Sequence, residues 1–171
     1  MGGRSSCGEI NLNNIRMRRK QKYNKRNKPD IKFNSVSISR FINYLMRTGD
    51  KTTAENVLYN ALSKVKKETE LDPIAVFEKA IENASPLIEV VSKRVGGANY
   101  QVPKEVRPER RFFLACKWII EAAKSKKGRP MKEKLAEEFI AAFKNEGTAI
   151  KKKQNVHRMA EANRAFAHFA R

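Results

Sequence analysis

Few residues in this chain could do bond-making chemistry. Two cysteines, Cys7 and Cys116, and two histidines, His157 and His168, are all that could ligate a soft metal, and their separations match no finger or knuckle spacing. Gly96-Gly97 lacks the GxGxxG or GKS/GKT setting of a nucleotide loop, and no serine has an assignable His-Asp partner. His157, beside Arg158 in a basic stretch, is expected to meet a phosphate or a packing contact, not to act as a catalytic base. No enzyme activity, metal, cofactor or small-molecule substrate is therefore expected. Cations are what the sequence supplies in quantity: 37 Lys+Arg stand against 18 Asp+Glu in 171 residues, a formal net charge of +19. Charge of one sign in that amount repels itself unless a polyanion is bound.

The surplus sits at the ends. Residues 1–32 carry +8, residues 33–85 are neutral, 86–111 and 112–146 carry +3 each, and 147–171 carry +5. The first segment holds Arg18, Arg19, Lys20, Lys22, Lys25, Arg26, Lys28 and Lys32 with almost no apolar periodicity, so it is expected to be a basic arm (1–32) that orders on its partner. Its acid-poor, Ser- and Asn-rich composition also suits a targeting peptide, but in a chain that begins at Met1 the arm is the expected reading. The remainder, 33–171, suits one domain, since a chain of about 150 residues buries roughly 70% of its unfolded surface. Its longest apolar strip, Phe112 to Cys116, is five residues; a membrane span needs about 20. Cys116 falls in an apolar helical pattern and is expected to be a buried thiol, consistent with a reducing compartment.

These cations must be positioned by helices and one hairpin. Ile38, Phe41, Ile42 and Leu45 predict a helix over about 35–48, stopped by Gly49. Thr52 and Glu55, spaced as a capping box, open a second over about 52–68, and Asp72-Pro73 opens a third that Pro86 ends. Between about 88 and 106 the period changes: Gly96-Gly97 between β-prone runs predicts a two-residue turn pairing Val95 with Ala98, Lys93 with Tyr100 and Val91 with Val102. Lys93 and Tyr100 then share one face, while Arg94, Asn99 and Gln101 lie on the other. An isolated ribbon is marginal in water. A nucleic-acid groove is expected to support it, packing on its own core being the alternative. Helical period returns from Pro108 to about Gly128, with Arg110, Arg111 and Lys117 opposite the apolar side. It returns again from Pro130 to a stop at Gly147, and from about Asn155, after the basic run Lys151, Lys152 and Lys153. The expected fold is mainly α: a six-helix bundle with one protruding β-hairpin and a basic, extended N-terminal arm.

Arm, ribbon and helix faces together suit phosphate, and Arg94, Arg107, Arg110 and Arg111 add planar bidentate capacity that lysine lacks. No recognition helix of the major-groove type is evident, and cations scattered over several elements fit folded RNA better than duplex DNA. A DNA architectural protein is the alternative.

The strip Arg94-Val95-Gly96-Gly97-Ala98-Asn99-Tyr100-Gln101-Val102-Pro103, followed by Glu105-Val106-Arg107-Pro108, resembles the hairpin signature of the small-subunit ribosomal protein seven family. So do Trp118-Ile119-Ile120-Glu121-Ala122-Ala123 and His157-Arg158-Met159-Ala160-Glu161-Ala162-Asn163-Arg164-Ala165-Phe166-Ala167-His168-Phe169 for its fourth helix and C-terminal strip. The resemblance implies binding to the 3′ major domain of small-subunit rRNA, nucleation of the head, and neighbouring head and platform proteins. It places the hairpin residues Lys93, Arg94, Gly96, Gly97, Asn99 and Gln101 near the exit-site tRNA and the mRNA path. It places the arm, Arg107, Arg110, Arg111, Lys117, Lys151 to Lys153, His157 and Arg158 on rRNA. Gly49 is followed by Asp50 where the family's loop usually carries Lys. The wording of the hairpin and of Ser39-Arg40-Phe41-Ile42-Asn43, with 14 Asn and 22 Lys, points to a mitochondrial ribosome, a bacterial or plastid one being the alternative.

Overall fold

Six helices and one antiparallel ribbon are built from these stripes in the structure, a computed structural model that describes residues 28–170. The order is α1 (Val36–Leu45), α2 (Lys51–Thr69), α3 (Pro73–Ala84), β1 (Ile88–Val95), β2 (Ala98–Glu105), α4 (Pro108–Ser125), α5 (Met131–Phe143), α6 (Thr148–Ala162) and a 3-10 segment, Arg164–Ala170. The arm cations Arg18, Arg19, Lys20, Lys22, Lys25 and Arg26 lie outside the described residues. Among the described residues no helix is long and apolar enough to cross a membrane, and no group of metal-ligating side chains occurs.

Helix α5 packs against α2, α3 and α4, and its Phe139 meets Phe41 of α1 and Phe77 of α3. The three rings lie 5.5 Å apart, centroid to centroid, in tilted and edge-to-face pairs. Each pair adds about 0.5–1.5 kcal/mol beyond the area it buries. Ile38, Leu58, Leu62, Val76, Ile119 and Leu135 close the core around them, as the helical stripes require. Cys116 is buried there, and desolvation pushes its thiol up to about 12, so it packs as an unreactive apolar group.

The helix ends depart from the expected boundaries for tertiary reasons. Helix α1 stops at Leu45 because Met46 turns to extended backbone and packs on the core. At α2 the cap is Asp50, not Thr52: Asp50 Oδ1 accepts from Thr53 N–H at 3.3 Å and its Oδ2 from the Thr53 hydroxyl at 2.6 Å. Those bonds hold the Asp50 carboxyl below its usual range. Asp72 and Pro73 cap α3 as expected. Asp30, assigned by sequence to the arm, is buried and accepts hydrogen bonds from the Tyr59 hydroxyl (2.7 Å) and from the Lys32 and Phe33 amides. Residues 30–32 are thus tied to α2. Burial and the Asp30 carboxylate push the Tyr59 phenol up.

Gly147 is not the stop of α5. Asn145, with φ +59°, takes the left-handed position after the C-cap Lys144, and Gly147, with φ +96°, is the N-cap of α6. Helix α6 therefore begins at Thr148, seven residues before the expected Asn155, and the lysine run lies inside it. The cause is Glu138 of α5, whose side chain is 1% exposed. Its Oε1 accepts from Ala149 N–H at 3.1 Å and from the Thr148 hydroxyl at 3.2 Å, while Oε2 lies 3.2 Å from Lys126 Nζ. A carboxylate from one helix thus caps the next, satisfying one of its first amides and meeting its positive end.

A Cβ at position 147 would sit 3.0 Å from Glu138 Oε1 and 3.1 Å from the Ala141 Cβ, whereas one at Gly128 (φ +81°) meets nothing within 4 Å. Gly147→Ala should therefore lower unfolding stability by about 2–4 kcal/mol, strain plus overlap, and Gly128→Ala by only about 1–2 kcal/mol. Urea denaturation of both variants measures the difference; equal losses would mean that the Glu138 contact carries no weight.

Candidate nucleic-acid interface

The hairpin has the predicted register throughout: Val95 pairs with Ala98, Lys93 with Tyr100 and Val91 with Val102. Gly96 and Gly97 adopt φ +58° and +93°, as a primed turn demands. Arg94, Asn99 and Gln101 are exposed on one face. The other face is where expectation and structure part, because the ribbon's support comes from the chain's own C-terminal segment. The Tyr100 ring lies 5.2 Å from Phe166 and 5.5 Å from Phe169, and Lys93 Nζ donates to the Phe169 carbonyl at 2.7 Å. Val102 is buried at the ribbon's base.

The base is locked to α4 and α6. Leu87 N–H donates to His157 Nε2 at 3.2 Å, Val106 N–H donates to the Leu87 carbonyl, and Arg110 Nε donates to Glu89 Oε2 at 3.4 Å. An acceptor Nε2 requires neutral imidazole, and burial, then the nearby Lys153 charge, push the His157 pKa down. His157 thus serves here as an acceptor that anchors the ribbon, the packing contact that sequence had offered beside a phosphate.

The remaining expected cations fall into three states. Lys117 and Lys152 share Glu121, at 3.8 and 2.7 Å, which bridges α4 to α6. Lys153 is half-buried and donates to the Asn83 carbonyl at 2.6 Å, while Arg111 is half-buried with no partner for its Nε–H among the described residues. Arg94, Arg107, Lys151, Arg158 and Lys28 are exposed, and Lys32 lies over the Tyr59 ring at 5.0 Å. Packing of α4 on α6 therefore brings Lys117 and Lys152 to the same carboxylate and Arg111 beside Lys153.

Sequence reasoning passed over Arg40. Its guanidinium stacks 4.7 Å above Phe112, and Arg110 lies 5.3 Å from the Phe113 ring, with Tyr44 against both phenylalanines. This cation–aromatic strip joins α1 to α4. The signal was Arg40 and Tyr44, one turn apart opposite the α1 core stripe. Alternating cations and aromatic rings suit single-stranded nucleic acid, which stacks on both.

Two outcomes follow from the ribbon's anchors. A histidine whose folded pKa lies below its unfolded value of about 6.5 leaves the unfolded chain binding more protons. Stability should therefore fall as pH drops through that value toward the lower folded one, and His157→Gln should flatten the fall; a parallel curve in the variant would discount the Leu87 bond. Removing residues 164–171 should raise hydrogen-exchange rates of the β1 and β2 amides at least tenfold with α2 and α5 unchanged, and unchanged strand protection would show that the tail braces nothing.

Comparison with known proteins gives this surface its context. Residues 17–164 match the family described as Ribosomal protein S7p/S5e. The "Small ribosomal subunit protein uS7" of Thermotoga maritima is 54% identical over 153 residues, covering 90% of this chain and 99% of that protein. Those of Chloroflexus aggregans and Treponema denticola are each 52% identical, covering 84% and 82% of the chain and 91% and 90% of their own lengths. These relatives are bacterial, so the expected mitochondrial origin is not supported and the bacterial alternative is favoured. The family consists of structural ribosomal proteins and not of enzymes. The chain belongs to the ribosomal protein S7p/S5e family of the small ribosomal subunit.

Proposed function

We propose that this protein binds the 3′ major domain of small-subunit rRNA in a bacterial ribosome, nucleates the head there, and holds its hairpin toward the exit-site tRNA and the mRNA. The observation that supports this reading best is the junction of α4 and α6, where cations are mounted on packed helices and α6 also meets a ribbon whose turn glycines stand in open space. Rigid cations match phosphates without reordering, and a pre-formed ribbon reaches past them. In this reading the cations that precede Asp30 add further phosphate contacts on the same RNA. Head and platform proteins of the small subunit are its other neighbours.

Filter binding to a transcript of the 3′ major domain tests the reading. Affinity should be nanomolar and fall with salt at a logarithmic slope near −0.7 to −0.9 per phosphate neutralised, so that about eight contacts give a slope of roughly −6 to −7. Equal affinity for random duplex DNA, or indifference to deoxy substitution, would instead favour a DNA architectural protein. Excising residues 93–101 should leave the bundle folded and rRNA affinity within a few-fold of the parent, while freeing the tail segment that Tyr100 holds. A collapse of rRNA affinity with the fold intact would place the hairpin in rRNA binding instead.

A further inference from the structure

Arg111 of α4 and Lys153 of α6 lie near the end of α3, where Lys153 has one partner and the Arg111 Nε–H has none among the described residues. The Arg111 Nε–H is buried with no hydrogen-bond partner among the described residues, an arrangement that native interiors rarely tolerate. Lys153 donates to the Asn83 carbonyl, which is held rigidly because Asn83 Nδ2 in turn donates to the Ala142 and Phe143 carbonyls. The two cations also feel one another: burial, then the Arg111 charge, depress the Lys153 ammonium, and Glu82 offsets them only in part. Glu82 is itself engaged by Lys79 at 2.8 Å.

The neighbours differ. Lys117 and Lys152 have Glu121, Arg110 has Glu89, and Arg107, Lys151 and Arg158 are exposed to water. Of these cations Arg111 is the one with a buried donor unmet, and Lys153 is the like charge beside it. What would satisfy it is an anion with several acceptor oxygens. Arginine side chains on a helix lean toward its N-terminus, and the α4 N-cap, Arg107, makes no side-chain capping bond, so the positive end of α4 adds to the field.

We propose that Arg111 and Lys153 clamp a single backbone phosphate of RNA. A rotation of the Arg111 side chain presents its Nε–Nη edge to two phosphate oxygens, and the remaining Lys153 protons meet a third. The negative charge then lies between the two cations and removes their mutual repulsion. This rests on the RNA-binding reading and specifies where one phosphate is held.

The test has two arms on the full chain. In the first, the Arg111 Nε–Hε resonance is followed by NMR while dimethyl phosphate, a diester, or inorganic phosphate is added. Both anions should displace it saturably, with the exposed Arg47 unmoved. No displacement by either anion would overturn the clamp, and a response to inorganic phosphate alone would overturn its assignment to a phosphodiester. In the second, rRNA affinity is measured for Arg111→Lys, Lys153→Gln and the double variant, each checked for folding by circular dichroism. Each single variant should lose about tenfold, the double variant little more than either, and the salt slope should fall by just under one. Losses that multiply in the double variant would mean two independent contacts and refute the shared phosphate. Failure of the unaltered chain to bind rRNA would refute the wider reading, and the anion titration would still decide the clamp.

Discussion

Mutual repulsion among like charges is the constraint that orders this molecule. With 37 basic side chains against 18 acidic ones, the fold cannot neutralise itself and must choose where its carboxylates go. Three of them sit where elements meet. Glu121 ties α4 to α6 through Lys117 and Lys152, Glu89 ties the ribbon to α4 through Arg110, and Glu138 ties the start of α6 and Lys126 to α5. The exposed pairs, those of Glu121 and Glu89, contribute little each, about 0–1 kcal/mol. Their effect is on direction, since they orient the basic elements against one another. The core that resists the repulsion is apolar, built on Phe41, Phe77 and Phe139.

Glu138 links packing to function most directly. It is buried, yet it meets an ammonium, a hydroxyl and a backbone amide, so its charge is satisfied as burial requires. By starting α6 at Thr148 it sets the helical phase that brings Lys152 to Glu121, Lys153 to Asn83 and His157 to the foot of the hairpin. One carboxylate thus holds the first turn of the helix that carries the lysine run. The ribbon in turn depends on α6 at its foot and on the aromatic tail along its side.

Elements governed by local rules were legible in the sequence, while contacts across the fold were not. The hairpin register follows from two glycines and a period of two, and every pairing named from them is observed. The α3 cap follows from Asp72-Pro73. The α6 start could not be read because its cap comes from another helix, and the α2 cap was misread because Asp50 and Thr52 are both acceptable N-caps and only the backbone path decides between them. The basic face was legible as composition, but which cations are paired was not: Glu121 serves both Lys117 and Lys152, and only the packing of α4 on α6 brings the three together. His157 could be read as meeting a phosphate or a packing contact, but which of the two could not be read, because the Leu87 amide that it accepts from is 70 residues away.

If the surplus positive charge is there to be neutralised by folded ribosomal RNA, sedimentation of gently lysed cells at low and at high salt will show it. The protein should travel with the small subunit at low salt and leave it as salt rises. A protein that stays free of small subunits at low salt would contradict it.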